Sequence, residues 1–368
     1  MRLCIIANPE SIHTRRWVRY FVERGDEVHL IGEHATWQVP PAGVVLHDLT
    51  RLVNVRKVRY IAWALAVRQL VREIHPDLLH AHQVASAGWL GAAAGWHPFL
   101  VTAWGSDLLL GTRRSWAQRQ LARWVLRRAD YVTCVSEELA RQARLLGVDP
   151  AWLEVVPWGV DAEVFRPGPP SEAWREQLGL GEGPVVLSLR AIRPVYNPLV
   201  IARAIPLVQA QVPTAQFIVR TYSYDPSLLD EFRTIVEAAG VASAVRYVGD
   251  LPDDRAIAEL YRLADVAVSV PSSDGTPQSV LEALACGVVP VLSDLPTLRE
   301  WVRHEEEGLF VPVNDTAALA TAVVRLLNDA ALRERLRTQG IALVGRRADR
   351  RMWMEHSAGI YRRLIGCM

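Results

Sequence analysis

The sequence predicts an α/β protein made of two doubly wound, Rossmann-like domains in series. Short β-rich apolar runs alternate with helical stretches along the whole chain, the signature of parallel sheets covered on both faces. At 368 residues the chain is long for one hydrophobic core, so two domains of ordinary size are expected. Near the middle, Val164-Phe-Arg-Pro-Gly-Pro-Pro170 breaks the alternation with the proline-rich composition of a domain boundary. The expected division is 1–163 and 164–349, with a last helix at about 350–368 crossing back to the first domain.

The amino end, Met-Arg-Leu-Cys-Ile-Ile-Ala-Asn-Pro, is broken too soon for a secretion signal and reads as a first strand, Leu3 to Ala7. Further strands are read at Glu27 to Ile31, Val44 to His47, Leu78 to Ala81, Phe99 to Ala103, Tyr131 to Val135 and Glu154 to Pro157. A first helix, Thr14 to Arg24, ends at Gly25, and a long one, Val55 to Ile74, is closed by His75-Pro76. The Ala- and Gly-rich stretch Val84 to Trp96 is well short of the ~18 apolar residues of a spanning helix. In the second half, strands Val185 to Leu189, Gln216 to Arg220 and Val245 to Val248 alternate with helices Pro198 to Gln211, Pro226 to Ala239 and Asp253 to Leu263. Helical segments Thr316 to Gln339 and Arg350 to Leu364 close the chain.

Composition narrows the function classes. An apolar content of 50% with 22% charged residues describes a soluble globular enzyme, and a net charge of +1 excludes a global nucleic-acid footprint. Cys4, Cys134, Cys286 and Cys367 are far apart without metal-ligand spacing, which points to a reducing, cytoplasmic setting. Gly-x-Gly-x-x-Gly is absent, so a dinucleotide-binding dehydrogenase half is not supported. Of the 41 lysines and arginines all but Lys57 are arginine, and 11 of the 13 tryptophans lie at or before Trp174.

The run from Pro271 to Asp294, with the β-rich stretch from Asp265 before it, organises the rest. Val266 to Val270 is β-rich and ends at Pro271, Ser272 to Gly275 is turn chemistry, Pro277 suits a first helical position, and Gln278 to Cys286 are helix formers stopped by Gly287. Asp274 then lies in a loop and Glu282 in the following helix, both at the carboxyl end of a strand, where open α/β sheets bind ligands. First-turn amides of that helix favour an anion such as phosphate, and two acids beside it suit the hydroxyls of a nucleotide-sugar. From spacing alone, Asp274 is equally an Asx turn and Glu282 a solvated or capping residue.

The run resembles the acid-x7-Glu signature of glycosyltransferase family 4, continuing as Glu282-Ala-Leu-Ala-Cys-Gly287, a strand, Pro296-Thr-Leu-Arg-Glu300 and Glu307-Gly-Leu-Phe-Val-Pro312. Asp274 stands where the first acid is usually Glu. Gly159-Val-Asp-x-x-x-Phe165 and Val248-Gly-Asp-Leu251 extend the likeness over most of the chain. The resemblance implies the GT-B fold, two Rossmann-like domains facing a central cleft, and sugar transfer from a nucleotide-diphosphate donor to a glycan or lipid-linked acceptor, with retention and without metal or other cofactor. No Asp-x-Asp occurs, which agrees with a metal-independent site. A non-catalytic nucleotide-sugar-binding module and a sugar-nucleotide epimerase are the rival readings.

The resemblance also implies site residues. Arg190 would clamp the donor diphosphate; Val195 occupies the place of the usual Lys, so Arg193, Tyr196 and Asn197 are weighed as substitutes or as a helix start. Asp250, Leu251, Gly275, Thr276, Pro277 and Ser279 join the donor side, with Glu282 on the ribose and Asp274 on the transferred sugar. In the first half, Val101-Thr-Ala-Trp-Gly-Ser-Asp107 places Trp104 where the family carries His, followed by Gly105 and Ser106. Asp107 is read as a catalytic base or acceptor-positioning group, or else as a helix cap. His13, Arg15, Arg16 and His82 complete the acceptor-side candidates; Arg15 and Arg16 are otherwise a solvated helix face, and His82 a hydrogen-bonded buried histidine. Arg113 to Arg128 reads as a basic helix with two tryptophans, either resting on an anionic membrane surface or carrying a solvated arginine face.

Overall fold

A computed structural model describes residues 1–33, 42–52, 59–112 and 115–366. The predicted helix start at Val55, the lysine Lys57, Arg113, Arg114 and Cys367 lie outside the described residues. The chain divides into two compact units, one of Met1–Trp158 with Met352–Met368 and one of Gly159–Arg351.

The first unit holds strands β1 (Arg2–Ile6), β2 (Glu27–Gly32), β3 (Val44–Asp48), β4 (Leu78–His82), β5 (Phe99–Ala103), β6 (Tyr131–Cys134) and β7 (Leu153–Val155). All neighbours are parallel, in the order β3-β2-β1-β4-β5-β6-β7. The strands are near-continuous apolar runs because helices cover both faces. On one face lie α1 (Ile12–Glu23), through Trp17, Val18 and Phe21, and the C-terminal helix Arg350–Gly366, through Met354, Ala358 and Tyr361. Tyr361 stacks on Phe21 at 4.8 Å and accepts a hydrogen bond from Trp17 Nε1 at 3.0 Å. The other face packs α2 (Arg59–Ile74), α3 (Ala87–Ala94), α4 (Trp116–Leu126) and α5 (Glu137–Leu145). Small residues let α3 approach closely: a Cβ at Gly91 would come within 2.5 Å of the Phe99 ring.

The second unit is a six-stranded parallel sheet of β8 (Val185–Ser188), β9 (Gln216–Arg220), β10 (Val245–Val248), β11 (Val266–Ser269), β12 (Val289–Ser293) and β13 (Leu309–Val311). Its order is β10-β9-β8-β11-β12-β13, so the chain leaves the sheet centre in opposite directions on either side of the β8/β11 pair. Helices α6 (Pro198–Gln209), α7 (Pro226–Ala238), α8 (Asp254–Arg262), α9 (Gln278–Ala285), α10 (Thr316–Asn328) and α11 (Ala330–Arg347) fill the two faces around separate cores.

The α/β class with two parallel, helix-flanked sheets is as the alternation predicted. Two local expectations are corrected. The helix read from Thr316 to Gln339 is two helices, because Asp329 accepts the Leu332 amide at 2.8 Å and so caps a new one. Leu309 to Val311, where no strand was read, is an edge strand paired with β12 and buried there.

Candidate functional site

In the second unit the site is built on the loops leaving β8 and β11. Arg190 lies two residues beyond β8, and Asp274 lies in the loop between β11 and α9; neighbouring strand ends bring them together. Arg190 Nη2 sits 3.0 Å from Asp274 Oδ2, with both side chains buried. Arg190 Nη1 donates to Ser279 Oγ at 3.1 Å, and the guanidinium carbon lies 4.4 Å from the Tyr196 ring centre. Asp274 Oδ1 accepts the Gly275 amide at 2.9 Å, whereas Oδ2 faces Arg190 as an ion-pair partner without a well-aligned hydrogen bond. Burial lifts the Asp274 carboxyl above its usual range, opposed by the Arg190 charge and the Gly275 N–H. Burial pulls the Arg190 guanidinium down, but the Asp274 charge, with Tyr196 and Tyr222, outweighs it and holds it above the ordinary value.

Glu282 is buried on α9, one turn beyond Gln278. It accepts from Gln278 Nε2 at 3.3 Å and from the Tyr261 hydroxyl at 3.4 Å. Gln278 Nε2 also donates to the Gly159 carbonyl at 2.7 Å, and its buried Oε1 has no hydrogen-bond partner among the described residues. Loop-to-loop bonds hold this frame: Asn197 Nδ2 to the Val270 carbonyl at 2.9 Å, the Ser272 amide to the Val195 carbonyl at 2.8 Å, and Ser293 Oγ to the Pro271 carbonyl at 2.6 Å.

Gly275, Thr276 and Pro277 line the turn into α9 as buried residues. Pro277 is the cap residue preceding the helix rather than its first residue. Asn197 sits at the cap of α6 in a left-handed conformation, φ 49°, and its side chain does not cap, being spent on Val270. Arg193 does not reach the Arg190–Asp274 pair; it bonds the Ser223 carbonyl and, at 2.9 Å, Ser223 Oγ. Asp250 is exposed beyond β10, and Leu251 packs partly into the core. Residues the sequence reading missed are Gln278, Tyr222 and above all Arg220, a buried guanidinium at the end of β9. Its one sequence signal is a cation ending a strand that neighbours the strand before Arg190.

The first unit gathers aromatic and imidazole rings at the carboxyl ends of β1, β4 and β5. His13 stacks on Trp158 at 4.0 Å, Trp104 lies edge-on to Trp158 at 4.9 Å, and His82 lies 5.3 Å from Trp104 and 5.2 Å from Trp17. Both ring nitrogens of His82 and Nε1 of Trp104 are buried without hydrogen-bond partners among the described residues. Burial drives the His82 pKa down to about 3, so the ring is neutral. His80, also held neutral by burial and then by His82, is bound by the Tyr361 hydroxyl at 2.5 Å and by Thr102 Oγ1 at 2.7 Å.

Asp107 begins a tight helical turn, Asp107–Gly111, with exposed Ser106 before it. Its Oδ2 accepts the amides of Val84 at 2.8 Å and Trp104 at 3.4 Å, and its Oδ1 those of Gly105 at 2.8 Å and Leu108 at 3.1 Å. Both oxygens are thus engaged in tying the β4 and β5 loops together. Arg15 bonds Glu10 at 2.8 Å and the Pro9 carbonyl at 3.3 Å, and Arg16 is half-buried on α1. Among the described residues no group of three His, Cys, Asp or Glu side chains is placed to hold a metal ion.

Comparison with known proteins bears on this geometry. Residues 2–136 match the family described as glycosyl transferase 4-like, and residues 170–342 match glycosyl transferases group 1. A GDP-mannose-dependent alpha-(1-6)-phosphatidylinositol monomannoside mannosyltransferase of Mycolicibacterium smegmatis is 31% identical over 331 residues, 84% of each chain. The chain belongs to glycosyltransferase family 4.

This family 4 chain is also 33% identical over 244 residues to a D-inositol 3-phosphate glycosyltransferase of Acidothermus cellulolyticus; the match covers 63% of the chain and spans about half, 52%, of that relative. In fold it resembles sucrose-phosphate synthase of Thermosynechococcus elongatus, with a TM-score of 0.82 at 20% identity over the full length of both chains. Anabaena HepE, solved with UDP and glucose, gives a TM-score of 0.80 at 16% identity over 99% of this chain and 100% of that one. The fold is therefore the two-domain GT-B architecture. Within it this family 4 member departs at Val195 and Trp104, and its second unit contains no lysine.

Proposed function

We infer that this chain moves a sugar from a nucleotide-diphosphate-sugar donor to a glycan or lipid-linked acceptor. The observation that carries the reading is the buried Arg190–Asp274 pair, 3.0 Å apart, beside Ser279 and the amino end of α9. It lies where the second sheet changes direction, the place where open α/β sheets bind nucleotides. As the anomeric C–O bond breaks, charge grows on the leaving diphosphate. A guanidinium already fixed by Ser279 and Tyr196 stabilises that charge without reorganising, and the first-turn N–H groups of α9 add positive potential. Glu282, anchored by Gln278 and Tyr261, is assigned to the ribose hydroxyls and Asp274 to the transferred sugar. Retention at the anomeric carbon and metal independence rest on the family resemblance.

On the acceptor side, the aromatic rings of Trp104, Trp158 and His13 offer faces for a sugar. Asp107 acts through the loops it ties, since both its oxygens already accept amides. Relatives named for inositol phosphate and phosphatidylinositol mannoside support an acceptor that is phosphorylated or lipid-linked, and make GDP-mannose the first donor to try. A lipid-linked acceptor would bring this chain to an anionic membrane surface. Exposed Trp116 and Arg119 on α4 with Arg127 just past its end, and exposed Tyr60, Ile61 and Leu65 beside Arg68 and Arg72 on α2, support that contact.

The test is incubation of GDP-, UDP-, ADP- and CDP-sugars with and without inositol phosphate or lipid-linked acceptors, with EDTA present. Nucleoside diphosphate release that requires acceptor, with the anomer retained, is the expected result. Isomerised donor in the absence of acceptor would identify an epimerase, and nucleotide binding with no turnover on any acceptor a non-catalytic module.

A further inference from the structure

Arg220 is buried, at 5% exposure, on the last residue of β9, beside the strand that leads to Arg190. Among the described residues only Nη2 of its N–H groups meets a protein acceptor, the Gly249 carbonyl at a long 3.3 Å, and Nε is buried without a hydrogen-bond partner. Among the described residues no carboxylate forms an ion pair with it, in contrast to Arg190, whose charge is matched by Asp274. A guanidinium is always protonated, so a buried one without a counter-charge is costly unless an anion completes the site.

The surroundings point the same way. Arg220 stacks on Tyr222 at 4.7 Å, as Arg190 stacks on Tyr196 at 4.4 Å, so two cation–aromatic pairs stand at adjacent strand ends. The Tyr222 hydroxyl, pushed up by burial, is pulled back by Arg190 and Arg220 and raised again by Tyr196 and Glu282, so both guanidiniums act on one phenol, with the Glu282 carboxylate near it but in no ion pair with Arg220. Arg193, the other candidate cation, is turned away onto Ser223.

We propose that Arg220 is the second cation of the donor site, binding the diphosphate of the nucleotide through its unpartnered Nε edge while Arg190 remains paired with Asp274. The proposal rests on the donor-binding reading above and goes beyond it by assigning the charge that no lysine in this unit supplies. Arg220 is here a phosphate-binding group; Tyr222 positions it by stacking.

The experiment is calorimetric titration of wild type, Arg220→Gln and Arg220→Lys with UDP, GDP, ADP and CDP, with the corresponding nucleosides, and with inorganic pyrophosphate. Arg220→Gln should weaken the tightest diphosphate and pyrophosphate by about tenfold or more, the scale of a lost charged hydrogen bond, and leave the nucleoside within about twofold. Arg220→Lys keeps the charge but not the fork, and should lose less, about threefold. If Arg220→Gln does not fold, Arg220→Lys decides by the same comparison. Unchanged diphosphate affinity, or an equal loss for diphosphate and nucleoside, overturns the role of Arg220 while leaving donor binding intact. Wild type that binds none of the four diphosphates overturns both readings.

Discussion

Replacing Asp274 with Asn removes one charge from a buried pair and leaves the other in place. At the observed 3.0 Å separation and an effective dielectric of ~20, the lost attraction is about 5.5 kcal/mol before desolvation is counted. The carboxylate's own desolvation cost disappears with its charge, which returns part of that sum. Arg190 keeps Ser279 Oγ and the Tyr196 ring, so the stranded cation is not bare. A net loss of about 3–4 kcal/mol is expected, in line with breaking buried pairs elsewhere. For a unit of this size that corresponds to a fall of about 10 °C in melting temperature. The reasoning makes a second, sharper demand: a nucleoside diphosphate should restore much of the loss, because it supplies the counter-charge, while sugar transfer stays abolished. Differential scanning calorimetry with and without the tightest-binding diphosphate, alongside a transfer assay, reads both. A melting temperature unchanged by the substitution, or full transfer activity in the variant, would refute the account of this pair.

Three further outcomes are expected. Glu282→Ala should reduce the thermal stabilisation given by a nucleoside diphosphate, and undiminished stabilisation would remove Glu282 from the site. His82 has its folded pKa depressed to about 3 against an ordinary 6.5, so the unfolded chain binds the proton more readily across that window. The stability held by the neutral ring is therefore complete above pH 6.5 and drains away on acidification, by about 1.4 kcal/mol per pH unit. Urea midpoints at pH 4 to 6 should show a shallower slope in His82→Leu than in wild type; parallel slopes would contradict the buried neutral ring. Gly159→Ala should cost about 2 kcal/mol or more, since φ is +69° and a Cβ would meet Arg350 Cα at 2.6 Å; a neutral urea midpoint would show that the backbone there relaxes freely.

The fold class was legible because parallel strands covered on both faces are near-continuous apolar runs, so stretches such as Phe99–Ala103 and Val266–Ser269 announce themselves. Edge strand β13 was not, being three residues inside a stretch that also reads as a turn. Within the candidate site, Asp274 and Glu282 sit on one loop and the helix after it, and local pattern alone places them near each other. The joining of Arg190 to Asp274 spans 84 residues, and it depends on β8 and β11 becoming neighbours in the sheet. Arg220 carried no motif; burial without an ion-pair partner among the described residues sets it apart from Arg190. Nor was it legible that Asp107 accepts four amide hydrogen bonds, one of them from Val84 on a different loop.

What the linear order of residues determined was therefore the alternation, the position of the turns and the chemistry available at each strand end. Those follow from local sterics and from the periodicity of burial, which act over a few residues. Which cations are matched and which are stranded, and which carboxylates are already engaged by backbone amides, was decided only by packing. Charge interaction and desolvation depend on distances through space, and the folded sheet, rather than spacing along the chain, sets those distances.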